Sequence, residues 1–155
     1  MQPVHILVAT DADFVLDEIT AALAGPDTSF TVCRSGRHVA GAVTARTPDI
    51  AILDLQIGSM GGMAVAMALR LDESSGNAPH VPILMLLDRR ADVHLAKRSA
   101  ADAWLVKPLD ALQLQRAVQA VQAVLTPAEP AAGWSATEEV AADGESAEEE
   151  ALTAG

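Results

Sequence analysis

The feature that most constrains this chain is a regular change of period along its first 125 residues. Short apolar runs at 5–9, 30–33, 50–54, 83–87 and 103–106 read as buried strands. Between them, apolar residues recur at helical spacing. Phe14, Leu16, Ile19, Ala22 and Leu23 form one stripe, which ends near Gly25 and Pro26. Val39, Ala42 and Val43 form a second, and Met63, Met67 and Leu71 a third. Val93 and Ala96 mark a short fourth; Leu114, Val118, Val121 and Leu125 form the fifth. A strand that is apolar throughout must be covered on both faces. Five such strands alternating with five helices therefore predict an α/β fold, a doubly wound five-stranded parallel sheet of (βα)5 type. The polar stretch 72–80 reads as a surface loop before the fourth strand, and Met60, Met63 and Met67 read as core filler.

Composition limits what such a domain can do. Half of the 155 residues are hydrophobic but only 3% are aromatic, so the core must be aliphatic. The net charge is −11, which repels phosphate backbones and argues against nucleic-acid binding. The charge is uneven. Residues 126–155 hold eight of the 21 acidic residues and no Lys or Arg, and open with Pro127 and Pro130. This divides the chain into a folded domain at 1–125 and an acidic Ala/Glu/Pro-rich tail at 126–155. The tail is expected to be disordered unless a partner holds it, with Trp134 as an anchor. Cys33 is the single cysteine, so no internal disulfide forms, and a reducing compartment is expected. The first apolar run is too short for a signal peptide or a membrane span, which places the protein in the cytoplasm.

In a doubly wound sheet, function gathers at the carboxyl ends of the strands. Thr10, Asp11 and Asp13 follow the first strand and Asp54 ends the third. Leu87 and Asp88 follow the fourth, and Lys107-Pro108 the fifth. Carboxylates brought together need a cation, and Mg²⁺ suits oxygen ligands. A lysine beside them can counter a further negative group such as a phosphoryl.

On these residues the chain resembles a response-regulator receiver domain of the CheY-like fold. The resemblance covers about 1–125. It rests on Ile6-Leu7-Val8-Ala9-Thr10-Asp11, on Ile52-Leu53-Asp54-Leu55, and on Trp104-Leu105-Val106-Lys107-Pro108. It implies that Asp54 is the phosphoacceptor and that Lys107 pairs with it and then with the phosphoryl. It implies Mg²⁺ held by Asp11, Asp54 and the backbone carbonyl of Gln56, no other cofactor, and a cis Lys107-Pro108 bond. The segments Ala9-Thr10-Asp11-Ala12-Asp13, Asp54-Leu55-Gln56-Ile57-Gly58 and Leu86-Leu87-Asp88-Arg89 also look similar to orphan mycobacterial receivers associated with NADH–quinone oxidoreductase (respiratory complex I).

The departures from the family pattern carry equal weight. Thr10 stands where a second acidic residue is usual, which should weaken metal binding. Leu87 has no hydroxyl to bond a phosphoryl, and Asp88 replaces a small residue and would repel an incoming dianion if it points into the site. Gly58 stands where proline is common, so the loop after the third strand should be more mobile. Asp13 is expected to cap the first helix. The Asp54–Lys107 pair reads either as a plain ion pair or as a retained phosphoacceptor position, and Mg²⁺ binding stays open.

Two functions follow as expectations, neither of them enzymatic. The first is a pseudo-receiver, weakly phosphorylated or not at all, that docks as an accessory or regulatory subunit on a larger assembly such as complex I, at the inner membrane through that partner. Its docking face would carry Lys97, Arg98, an exposed Trp104 and Arg116, with Trp134 on the tail. The alternative is a phosphorylatable single-domain response regulator fed by a histidine kinase. A DNA-binding regulator is disfavoured for want of a basic output domain after residue 125.

Overall fold

The computed structural model describes residues 3–124. Five strands alternate with five helices: β1 (Val4–Ala9), α1 (Asp13–Leu23), β2 (Thr28–Cys33), α2 (Val39–Ala45), β3 (Ile50–Asp54), α3 (Gly62–Ser74), β4 (Ile83–Leu87), α4 (Val93–Arg98), β5 (Ala103–Val106) and α5 (Ala111–Val124). The strands form one parallel sheet in the order β2-β1-β3-β4-β5, the expected doubly wound topology.

The sheet separates two aliphatic layers. Ile6, Val8, Ile50, Ile52, Leu84 and Leu86 point toward Val15 and Ile19 of α1 and Leu114 and Val118 of α5. Leu7, Ala9, Ala51, Leu53, Met85 and Leu87 point the other way, toward α2, α3 and α4. Alternate residues face opposite sides, so a strand covered on both faces must be apolar at every position. Each fully buried Leu or Ile contributes about 1.5–3 kcal/mol.

Several details differ from the sequence reading. Phe14 is 66% exposed, and Val15 takes the buried place on α1. On α3 the buried residues are Val65, Ala66 and Leu69, whereas Met67 and Leu71 are exposed and are not core filler. That helix is apolar almost all round from Met63 to Leu71, so spacing alone could not choose its inner face. It also runs through Ser74, into the stretch expected to be loop, and β2 begins at Thr28. Asp13 does not cap α1. It is the first helical residue, and its carboxylate pairs with Arg34 at 2.6 Å. Cys33 is buried, and burial pushes its thiol pKa up. Among the described residues no helix is long and apolar enough to cross a membrane. The tail, with Trp134, lies outside the described residues.

Candidate functional site

The order of strands reverses between β1 and β3, and the crevice at their carboxyl ends collects the polar side chains. Asp54, the last residue of β3, is 2% exposed. Its Oδ1 accepts a hydrogen bond from Lys107 Nζ at 2.8 Å and another from the Gln56 N–H at 3.1 Å. Its Oδ2 accepts from the Thr10 hydroxyl at 2.8 Å. Lys107 is set in place by its own N–H, which donates to the Leu87 carbonyl at 2.8 Å, and the Lys107-Pro108 bond is cis. The lysine amine also reaches Asp88 Oδ1 at 2.9 Å. Burial alone would lower its pKa. The hydrogen bonds and charges of Asp54 and Asp88 outweigh burial and hold the amine above the ordinary lysine range.

Asp11 turns toward the loop after β3, where its Oδ2 accepts the Gly58 N–H at 2.9 Å. A proline at position 58 could not make this bond. The loop is braced further. The Gly58 carbonyl accepts from Gly36 N–H and Met60 N–H, and the Ser35 and Ser59 hydroxyls bond each other. Two close approaches require glycine here. A Cβ on Gly36 would lie 1.8 Å from the Met60 carbonyl oxygen, and one on Gly62 would lie 2.6 Å from that of Asp54. The loop expected to be loose is thus tied to both Asp11 and the β2–α2 connection.

The structure puts Asp11 after β1, Asp54 and Gln56 at the end of β3 and Lys107 after β5, along one edge of the sheet. The sequence reading missed what replaced the lost carboxylate: Thr10 is fully buried and is a direct hydrogen-bond partner of Asp54. Asp88, which would repel an incoming dianion if it points into the site, lies against the site lysine, Lys107. Leu87 is fully buried in the core, so no hydroxyl at that position faces the crevice.

One lysine faces two carboxylates, one buried and one half-exposed, and Asp11 follows β1 at the same edge of the sheet. Among the described residues no three His, Cys, Asp or Glu side chains converge as a self-sufficient metal cage. Asp11, Asp54 and the Gln56 carbonyl are nevertheless all hard oxygen donors. Such a partial set fits Mg²⁺, which retains several waters and is commonly held by one or two carboxylates plus a phosphate.

Lys97, Arg98 and Arg116 are exposed on α4 and α5. Trp104 is not an exposed indole. It is partly buried against the core, its Nε1 is buried and, among the described residues, lacks a hydrogen-bond partner, and Lys97 Nζ lies 6.0 Å from its ring centre. Trp104 lies on the edge strand beside Met85 of β4, which brings its ring against the core.

Comparison with known proteins agrees with this geometry. The family model of the response regulator receiver domain matches residues 6–119. The transcriptional regulatory protein CseB of Streptomyces avermitilis is 31% identical over 119 residues, covering 76% of this chain and 48% of its own. The DNA-binding response regulator MtrA of Mycolicibacterium smegmatis is 32% identical over 118 residues, covering 75% of this chain and 49% of its own. The chain therefore spans about half the length of these relatives. Chemotaxis response regulator CheY4 of Vibrio cholerae superposes with a TM-score of 0.68 at 22% identity, covering 77% of this chain and 99% of its own. The receiver domain of a Pseudomonas aeruginosa sensor histidine kinase, solved with magnesium coordinated in its active-site cleft, gives 0.69 at 21% identity, covering 78% and 98%. None of these proteins is described as a subunit of a respiratory complex.

Proposed function

Because the chain belongs to the response regulator receiver domain family, we propose that it is a phosphorylatable receiver of a two-component phosphorelay, with Asp54 as phosphoacceptor. This favours the second expectation over the docking pseudo-receiver, and the complex I association is left without support. The observation that carries the reading is the hold on Asp54: its Oδ1 is bound by Lys107 and the Gln56 N–H, and its Oδ2 by Thr10. That arrangement fixes the carboxylate at the sheet edge beside a lysine that balances its charge.

In the proposed reaction an Asp54 carboxylate oxygen attacks the phosphorus of a phosphohistidine or a small acyl phosphate. The donor's P–N or P–O bond breaks, its electron pair leaves with the donor, and an acyl phosphate forms on Asp54. Lys107 stays at the carboxylate and offers an N–H to the new oxygens. Asp11, Asp54 and the Gln56 carbonyl would hold Mg²⁺, which when bound supplies positive charge to the phosphoryl oxygens. The partner is then a histidine kinase or its phosphotransfer module. The DNA binding in the name of MtrA is said of that protein; for this chain the proposed output surface is the face of α4, β5 and α5.

The test is intact-mass measurement of the full chain with a small phosphodonor and Mg²⁺. The expected result is gain of one phosphoryl group, lost in Asp54→Asn and on chelation of the metal. A chain that gains no phosphoryl mass at any Mg²⁺ concentration overturns the reading.

A further inference from the structure

Lys107 is shared. Its ammonium has three donors, and one goes to Asp54 Oδ1 at 2.8 Å and one to Asp88 Oδ1 at 2.9 Å. The two acceptors are not equivalent. The Asp54 side chain is 3% exposed and fixed by two further hydrogen bonds, whereas that of Asp88 is 43% exposed. A phosphoryl on Asp54 adds negative charge and several strong acceptor oxygens at the point where Lys107 already sits. Asp88 then loses on two counts: it is repelled by the new charge, and it competes for the lysine with a better acceptor.

From this geometry we infer that Asp88 restrains phosphoryl uptake at Asp54, and that the β4–α4 connection senses the phosphoryl by losing the Asp88–Lys107 ion pair. The inference rests on the reading of Asp54 as phosphoacceptor. Asp88 directly follows Leu87, whose carbonyl is bound by the Lys107 N–H, so the two backbones are pinned together. Asp88 therefore leaves the lysine by rotating its side chain and moving the segment after it. That segment is short. It runs through Arg89, whose guanidinium pairs with the buried Asp92, and the single turn Arg90–Asp92 into α4. With an aliphatic Leu87 in the core, no hydroxyl at the end of β4 can draw this segment inward. Asp88 is the residue of the segment 87–92 whose side chain contacts the site, and it acts by repulsion instead of attraction. It is a positioning residue for Lys107.

The experiment compares the full-length chain with Asp88→Asn, which keeps the shape and removes the charge, and with Asp88→Ala. Acetyl phosphate and Mg²⁺ serve as donor and metal, initial phosphorylation is followed by intact mass, and amide NMR follows residues 88–92. Both variants should be phosphorylated about tenfold faster than the parent, as expected for one unit charge removed from a half-exposed site near the reacting group. The gap should shrink at high salt, which a merely structural role would not produce. The 88–92 amides should shift on phosphorylation in the parent, and unmodified Asp88→Asn should already lie near that shifted position. Labelling of the variants but not of the parent overturns the phosphorelay function of this chain and assigns the block on Asp54 to Asp88. Equal or slower labelling of the variants shows Asp88 to be idle while the phosphoacceptor reading stands. No labelling of any of the three overturns that reading and this inference with it.

Discussion

Thr10 closes β1 with no exposure, and its hydroxyl does two things at once. It donates to Asp54 Oδ2 at 2.8 Å and accepts the Ala12 N–H at 3.2 Å. A carboxylate at this place would repel Asp54; the hydroxyl binds it. Thr10→Val keeps the shape and removes both bonds, leaving a buried carboxylate oxygen and a backbone N–H each short of a partner. The expected cost is about 1–3 kcal/mol, read by urea denaturation of the full chain. Thr10 is visible in the sequence as a departure from two acidic residues, but its bond to a residue 44 positions away is not. Asp54 and Lys107 were legible because each ends an apolar strand, and parallel strands in one sheet bring their ends to one edge. Asp88 was legible as a charge and not as a direction, because only a side-chain rotamer decides between facing solvent and facing Lys107.

At the scale of the element, α3 shows where pattern fails. Met63, Met67 and Leu71 are four residues apart and form a true stripe, yet Met67 is 49% and Leu71 65% exposed. The buried stripe is Val65, Ala66 and Leu69, on the face where Gly62 lets the helix start close against β3. A helix with apolar residues on most of its surface does not declare its inner side. The two faces should respond differently in thermal or urea unfolding. Leu69→Ala should cost about 2–5 kcal/mol through the cavity it opens, and Leu71→Gln should stay within about 0.5 kcal/mol. The end of α3 is anchored by polar contacts. Arg70 bonds Asp102 at 2.7 Å and the carbonyls of Val81 and Ala100, and so joins the helix to the entry of β4 and to the α4–β5 turn.

For the whole molecule, two groups tie stability to pH in the same direction. His5 is buried, with Nε2 against the Thr31 hydroxyl at 2.7 Å and Nδ1 without a partner among the described residues. Burial first, and then the charge of Arg46, lower its pKa. For Glu73, burial alone would raise the carboxyl, but the hydrogen bond and charge of His80, followed by Arg70, bring it below the usual range. In each case the unfolded chain binds the proton more readily, so the stabilisation is present above the unfolded pKa and is lost as pH falls through the folded one. The unfolding midpoint should therefore decline below about pH 6.5, and His5→Asn should flatten the upper part of that decline. Thermal scans across pH check both. The sequence by itself determined the five-stranded parallel sheet, the two aliphatic layers and the edge of the sheet to which Asp11, Asp54 and Lys107 belong, because strand burial and parallel order are written in residue type and period. Only the tertiary structure decided which face of α3 is inner, that Thr10 holds Asp54, that Gly58 braces Asp11 and that Asp88 shares Lys107. Those outcomes depend on distances between residues far apart in the chain, and local composition carries no record of them.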